Sequence, residues 1–326
     1  MKAVVYERYG PPDVLEVREV AKPVPGDHEV LIKTCATTVT SGDWRARSLD
    51  VPVGFGFISR LVFGVSGPRN PVLGTELAGV VESVGKRVSQ FKAGDPVFAF
   101  SDAGMGCHAE YKCMPEDGAV APKPATLSFD EAAALSFGGT TALDFFKRGK
   151  LQSGETVLVN GASGGVGTAA VQLARYFGAR VTGVCSTANL ALVKSLGAHR
   201  VIDYTRADIT QRDETYDVIM DTAGTLPFPR ARGLLREHGR LLLVLGRLPD
   251  MLRIPWVSMT SGKKIIAGPA SGRRADLLVL ARLAEAGKYK PVVDRRYPFE
   301  QIVDAHRYVD TGHKRGNVII TLAHDG

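Results

Sequence analysis

A glycine-rich run joins an apolar segment, VLVN, to a segment of helical pattern, TAAVQLARYFG. Glycines at such a turn let the backbone approach a pyrophosphate, and the first N–H groups of the following helix can bind its charge. Ala162 stands where the usual pattern has its first glycine. We therefore predict a dinucleotide site whose binding residues are Ala162, Ser163, Gly164, Gly165 and Val166.

The residues after the next strand indicate which dinucleotide binds. In NAD-binding versions an Asp or Glu about 20 residues further on bonds to the adenosine ribose. Here the strand ends at Cys185-Ser186-Thr187, followed by Ala188 and Asn189, without a carboxylate. Hydroxyl and amide groups can hold a 2′-phosphate that a carboxylate would repel. The pattern favours NADPH, with Ser186, Thr187 and Asn189 at this corner. Tyr204 either covers the adenine, reaches the phosphate or packs at the sheet edge.

Two kinds of element must position this site. From Lys2 to about Pro124 the chain has short strands separated by turn signals. After Leu127, apolar strands alternate with helical patterns, which is typical of a parallel sheet buried on both faces. We predict a helix capped by Ser128 and Glu131, a helix over FPRARGLLREHG, and an irregular loop over 51–71. The tail predicts a helix, a strand, a helix and a final strand that returns to the N-terminal half.

Composition limits the class of protein. The chain has 326 residues, 44% of them hydrophobic and 23% charged, which suits two globular domains. It has no signal peptide and no long apolar run, so we expect a cytoplasmic protein. The net charge of +7 comes from scattered Lys and Arg, so nucleic-acid binding is not expected. Peripheral contact with anionic lipid through Arg45, Arg60 and Arg69 stays an alternative. The four cysteines lack CxxC spacing and are expected to be free thiols.

Several segments together resemble the medium-chain dehydrogenase/reductase superfamily, and within it the zinc-independent quinone oxidoreductase branch that includes zeta-crystallin. They are LGTELAGVVESVG, FKAGDPVFAF, VLVNGASGGVGTAAVQLARYFGARV, SLGAHRVIDY and GHKRGNVIITL. The resemblance covers essentially the whole chain. It implies an α/β protein with a GroES-like β-rich catalytic domain, residues 1–124 completed by 270–326. Residues 125–269 would form a Rossmann domain with a doubly wound parallel sheet, and the protein would be a homodimer.

The same resemblance argues against a metal. Zinc-dependent members place a Cys in the segment matching TTVTSGDW, a His where this chain has Thr75 before Glu76, and a Cys in the segment matching FGGTTA. All three are absent here, and a catalytic zinc needs three protein ligands. Cys107, His108 and Cys113 match an ordinary strand of the family. We predict no metal.

Hydride transfer without zinc suits an acceptor that spreads the incoming electron pair, such as a quinone or an α,β-unsaturated carbonyl. The resemblance implies that Thr40, where the family usually has Asn, and Asp43 and Thr141 form the catalytic set. Thr40, Thr141 or the nicotinamide ribose hydroxyl would bond to the resulting enolate, which water would protonate. The resemblance adds cofactor-binding residues beyond the glycine-rich run, namely Thr222, Leu245, Gly246, Lys314 and Asn317.

The expected activity is therefore NADPH-dependent reduction of a quinone, enone or enal. Two alternatives stay open. One is a zinc-free, NADP-dependent alcohol dehydrogenase. The other is a non-catalytic NADPH-binding module that acts on RNA or a membrane surface.

Overall fold

The computed structural model describes residues 1–323, which contain fifteen strands and eleven α-helices. The strands are β1 Lys2–Val5, β2 Glu16–Glu19, β3 Glu29–Val39, β4 Glu76–Val84, β5 Pro96–Phe100, β6 Tyr111–Pro115, β7 Val120–Pro122, β8 Thr156–Asn160, β9 Arg180–Cys185, β10 Arg200–Asp203, β11 Tyr216–Asp221, β12 Leu235–Leu243, β13 Lys264–Ala267, β14 Val293–Pro298 and β15 Asn317–Thr321. The helices are α1 Ser41–Ser48, α2 Gly56–Phe63, α3 Phe129–Ala133, α4 Ser136–Arg148, α5 Gly165–Tyr176, α6 Leu190–Ser195, α7 Phe228–Ala231, α8 Leu248–Leu252, α9 Ile254–Thr260, α10 Arg274–Glu285 and α11 Ile302–Asp310.

The first of two compact units contains Met1–Val51, Gly56–Thr140 and the described chain from Gly272 onward. Its main sheet has the order β14-β15-β3-β4-β5-β7, and β6 also pairs with β3. Strand β15 runs antiparallel to β3. The predicted return of the C-terminal strand to the N-terminal half is therefore confirmed, and so is the β-rich character of this half.

A buried ion pair anchors α1 within this unit. Arg47 is fully buried, its Nη2 lies 2.6 Å from Asp310 Oδ2, and its Nε donates to the carbonyl oxygen of Gly10 at 3.2 Å. Since removal of one partner would leave a buried charge uncompensated, the pair fixes the position of α1 against α11.

The second unit contains Pro52–Phe55 and Thr141–Ser271. Its six strands are all parallel and have the order β10-β9-β8-β11-β12-β13. Counted along the chain, this is the 3-2-1-4-5-6 order of the doubly wound dinucleotide-binding fold. The Rossmann prediction is confirmed. The two units divide inside α4, and the domain boundaries expected from the sequence stay a prediction.

Two expectations about secondary structure were wrong. In FPRARGLLREHG only Phe228–Ala231 is α-helical, and β12 begins at Leu235. Leu234 and Leu235 are buried in the core of the second unit, where β12 pairs with β11, so tertiary packing overrides the helical pattern.

The segment 51–71, expected to be irregular, contains α2. No residue of α2 is buried. The helix is only eight residues long, which is too short for a helical period to be recognised in the sequence. The capping box of Ser128 and Glu131, in contrast, is present at α3 as expected.

Candidate active site

The glycine-rich turn is shaped by close backbone approaches. Gly161 has φ of +79°, which favours glycine, and a Cβ at Gly167 would lie 2.0 Å from the carbonyl oxygen of Gly161. Gly164 has more space around it, because a Cβ there would have its nearest contact at 3.6 Å, an ordinary van der Waals distance. Gly164 is the N-cap of α5 and has no side chain to bond the first turn. The first N–H groups of α5 are thus left for an anion, which fits the pyrophosphate of a dinucleotide.

Ala162 and Ser163 serve mainly to hold the turn in place. Ala162 is fully buried, and its N–H donates to the carbonyl oxygen of Val184 at 2.9 Å. Gly183 faces it, where a Cβ would lie 3.1 Å from that of Ala162. Ser163 Oγ accepts a bond from Asn189 Nδ2 at 3.2 Å. Ala162 therefore packs the turn on β9 and uses its N–H there, and the cofactor roles of Ala162 and Ser163 stay predictions.

Asn189 connects the turn to the corner after β9. Its Nδ2 bonds to Ser163 and, at 3.1 Å, to Ser186 Oγ. Its Oδ1 is buried and has no hydrogen-bond partner among residues 1–323. Because a buried acceptor without a partner is costly, this atom fits a ligand hydroxyl such as that of the adenosine ribose.

The corner also holds a carboxylate, which the sequence analysis missed. Thr187 Oγ1 donates to Asp203 Oδ2 at 2.5 Å, and Thr205 donates its N–H and hydroxyl to Asp203 Oδ1. Bonds from Thr187 and Thr205 hold the pKa of Asp203 below its usual range, so the group is charged. Asp203 ends β10, in register with Cys185 at the end of β9. The expectation of a corner without a carboxylate was wrong, because the acid comes from the neighbouring strand.

A second acid, Asp221, is buried and shapes the turn after β11. Asp221 accepts bonds from Asn160 Nδ2 and from the N–H groups of Ala223, Gly224 and Leu226. Thr222 Oγ1 donates to the carbonyl oxygen of Asn160 at 2.8 Å. Asp221 was not predicted as a site residue, although its position at a strand's carboxyl end was the available signal.

The remaining predicted cofactor residues of this unit lie near the same sheet edge. Leu245 and Gly246 follow β12, and Tyr204 follows β10 with its side chain mostly exposed. Thr141 lies in α4 and is buried. The cofactor role of the first three and the catalytic role of Thr141 stay predictions.

In the first unit, Asp43 joins the start of α1 to the loop before β4. Its Oδ2 accepts the N–H of Thr40 at 2.7 Å and the Thr40 hydroxyl at 2.6 Å, while its Oδ1 accepts the N–H of Gly74 at 3.1 Å. Thr40 Oγ1 in turn accepts the N–H groups of Gly42 and Asp43. Thr40 and Asp43 thus form a capping box at α1, which places Thr40 Oγ1 3.4 Å from Thr75 Oγ1.

Glu76 lies directly after Thr75 and is fully buried. Its Oε1 accepts from Thr38 Oγ1 at 2.6 Å and its Oε2 accepts from the N–H of Phe137 at 2.5 Å. Burial raises the pKa of Glu76 to about 7, against the lowering effect of these bonds. Near neutral pH this carboxyl therefore holds a proton for much of the time.

Lys314 and Asn317, predicted to bind the cofactor, belong to the first unit. Burial lowers the pKa of Lys314 to about 8, although Glu76, Asp294 and Asp43 act in the opposite direction. Its Nζ donates to the carbonyl oxygen of Gly316 at 2.6 Å. Asn317 Nδ2 donates to the carbonyl oxygen of Val292 at 3.1 Å. Lys314 is thus grouped electrostatically with Asp43 and Glu76, and the cofactor role of both residues stays a prediction.

Within residues 1–323 there is no group of three His, Cys, Asp or Glu side chains that could hold a metal ion. The four cysteines form no disulfide, as expected. None of the helices in the described chain has the length and apolar character of a membrane span.

Known families and proteins match this chain over most of its length. Residues 26–125 match the alcohol dehydrogenase GroES-like domain, and residues 196–320 match the zinc-binding dehydrogenase family. The quinone oxidoreductase of Mus musculus is 34% identical over 99% of this chain and 98% of its own length. The NADPH-dependent alkenal/one oxidoreductase of Arabidopsis thaliana chloroplasts is 32% identical over 98% of this chain and 79% of its own. The structure of the quinone oxidoreductase from Coxiella burnetii superposes with a TM-score of 0.88 at 28% identity, covering 99% of both chains.

The chain belongs to the medium-chain dehydrogenase/reductase superfamily, and within it to the quinone oxidoreductase branch.

The glycine-rich turn supplies a matched pair of variants. In Gly164→Ala the added methyl group has room in the protein but would occupy the space that a phosphate needs. We expect unchanged thermal unfolding and a loss of NADPH affinity of at least tenfold, measured by fluorescence titration. In Gly167→Ala the methyl group meets Gly161, so we expect a lower unfolding temperature even without cofactor. Equal NADPH affinity of Gly164→Ala and the wild type would contradict a phosphate site at this turn.

Proposed function

We propose that this protein is an NADPH-dependent oxidoreductase that transfers hydride to a quinone or an α,β-unsaturated carbonyl without zinc. One observation carries the proposal. Thr75 stands where zinc-dependent relatives have a His ligand, Thr40 lies in the segment where they have a Cys, and the two hydroxyls lie 3.4 Å apart. Hydroxyl groups are poor zinc ligands compared with Cys and His, and the Thr40 hydroxyl is already bonded to Asp43. The names of the mouse and Arabidopsis relatives support the same acceptors.

The replacement of those metal ligands by other residues would limit which acceptors can react. A plain ketone develops a full alkoxide charge on reduction, which a metal would otherwise stabilise. A quinone or enone spreads the electron pair over a conjugated system, so hydrogen-bond donors and correct positioning are sufficient. NADPH, when bound, supplies the hydride from carbon 4 of its nicotinamide. The chain's own residues bind the dinucleotide at the glycine-rich turn and bond to the acceptor oxygen.

The cofactor site fits NADPH through its polar corner. Ser186, Thr187 and Asn189 offer hydroxyl and amide groups after β9. Asp203 opposes a 2′-phosphate electrostatically, and Arg206, 3.5 Å from Asp203, offsets part of its charge. The selectivity for NADPH over NADH is therefore set by a balance of charges at this corner.

The expected homodimer and the cytoplasmic location also belong to this proposal as predictions.

Removal of the Asp203 charge should raise the selectivity for NADPH over NADH. In Asp203→Asn we expect several-fold tighter NADPH binding and little change for NADH, because only NADPH places a phosphate at this corner. Isothermal titration with both cofactors measures the ratio. Asp208→Asn is the matched control, since Asp208 also accepts a bond from the N–H two residues on but pairs with Arg230 instead of Thr187. A fall in NADPH affinity in Asp203→Asn would show that Asp203 aids cofactor binding.

NADPH oxidation across a graded set of quinones, enals and enones tests the activity. We expect turnover of these acceptors, weaker turnover with NADH, and none of saturated ketones of similar size. Oxidation of alcohols with NADP⁺ but no reduction of any enone would instead support a zinc-free alcohol dehydrogenase. Tight NADPH binding without turnover, together with salt-sensitive binding to RNA or anionic vesicles, would support the non-catalytic alternative.

A further inference from the structure

The Thr40 hydroxyl has no remaining capacity for an acceptor substrate. A hydroxyl donates one hydrogen and accepts through two lone pairs. The hydrogen of Thr40 goes to Asp43 Oδ2 at 2.6 Å, and its oxygen accepts two N–H groups, those of Gly42 and Asp43, at 3.1 Å each. The bond to Asp43 is charge-assisted, so the hydrogen is held strongly. Thr40 therefore holds the start of α1 and is a poor donor to an enolate, contrary to the role suggested by the sequence.

The Thr75 hydroxyl, in contrast, keeps capacity for a further hydrogen bond. Its hydroxyl oxygen lies 3.4 Å from Thr40 Oγ1, which is a long distance for a hydrogen bond between two hydroxyls. The lone pairs of Thr40 Oγ1 are also already used by two N–H groups. The hydrogen of Thr75 is therefore available to a stronger acceptor.

The backbone on both sides of Thr75 is fixed. The N–H of Gly74 bonds to Asp43 Oδ1 at 3.1 Å, and the carbonyl oxygen of Thr75 accepts the N–H of Ser101 at 2.7 Å. Gly74 has φ of +100°, and a Cβ there would lie 2.4 Å from the backbone nitrogen of His108. These contacts fix the backbone position of Thr75. A hydrogen-bond donor that stabilises a transition state has to be fixed in this way before the substrate binds.

The place of Thr75 in the sequence also indicates that it lies near the reacting oxygen of the substrate. In zinc-dependent relatives this position supplies a metal ligand, and the catalytic metal in such sites polarises the substrate carbonyl. We therefore expect the side chain at this position, in a site without zinc, to lie beside the carbonyl oxygen of the acceptor.

From these contacts we propose that the Thr75 hydroxyl is the hydrogen-bond donor to the carbonyl oxygen of the conjugated acceptor, and that Asp43 is its positioning residue through Gly74 and Thr40. This inference rests on the proposed function. Hydride adds to the β-carbon, the C=C electron pair moves to give an enolate, and NADP⁺ is formed. Thr75 donates to the enolate oxygen without losing its proton. Water then protonates the α-carbon, which completes the saturated ketone.

The test compares Thr75→Val, which keeps the shape and removes the hydroxyl, with Thr75→Ser, which restores it. We expect Thr75→Val to lower kcat/KM for an enone by about 10²-fold, as loss of one oxyanion donor does. Thr75→Ser should recover most of the rate. Thr37→Val is the control, because it removes another buried hydroxyl, one that donates to the carbonyl oxygen of Glu76, and should leave turnover unchanged.

A second readout does not depend on turnover. The coloured anion 4-nitrophenolate, bound in the presence of NADP⁺, imitates the charged oxygen of the enolate. We expect Thr75→Val to weaken its binding about tenfold or more, the loss typical of one hydrogen bond to a charged group. Affinity for NADP⁺ should stay unchanged. If Thr75→Val does not fold, Thr75→Ala is compared with Thr75→Ser on the same two readouts.

The outcomes separate this inference from the proposed function. Full enone turnover and unchanged 4-nitrophenolate binding in Thr75→Val would overturn the role of Thr75 while the proposed function stands. A wild-type enzyme that reduces no conjugated acceptor would overturn the proposed function, and the 4-nitrophenolate titration would still decide whether Thr75 binds an oxyanion.

Discussion

The buried carboxylate of Asp43 is the interaction on which the first unit's site depends. A fully buried carboxylate is stable only if donors surround it. Asp43 obtains them from the backbone and hydroxyl of Thr40 and from the backbone of Gly74. Because these donors belong to the start of α1 and the loop before β4, satisfaction of one charge fixes both segments. The orientation of Thr75 then follows from the position of Gly74, and the capacity of Thr40 to bond to anything else is removed.

The second unit uses the same principle. Asp221 is buried at the end of β11 and accepts four hydrogen bonds, three of them from the turn that follows. The parallel sheet brings this turn, the glycine-rich turn and the corner after β9 to one edge, because the carboxyl ends of parallel strands coincide. There the unbonded start of α5 and the buried Oδ1 of Asn189 are left for a ligand. Buried acids thus fix the backbone around the site in both units, and the donors and acceptors without a protein partner are left to bind a ligand.

Local patterns in the sequence predicted the features that depend on neighbouring residues. The glycine-rich turn, the start of α5 and the capping box of Ser128 and Glu131 are examples, since each is determined within a few residues. Features that depend on pairing between distant segments could not be predicted. Asp203 reaches the corner only through the register of β10 on β9, and β12 is a strand because β11 pairs with it. The sequence identified Thr40 and Asp43 as site residues. It could not show that Asp43 also holds the loop before β4, because that contact is made with Gly74, 31 positions further along the chain.

Under the proposed function, hydride reaches the conjugated carbon of the acceptor and not the carbonyl carbon. The most direct measurement uses NADPH carrying deuterium at both positions of carbon 4, an acyclic enone in ordinary water, and NMR of the product. We expect a saturated ketone with deuterium only at the β-carbon and hydrogen from water at the α-carbon. Deuterium at the carbonyl carbon, in an allylic alcohol, would contradict the claim.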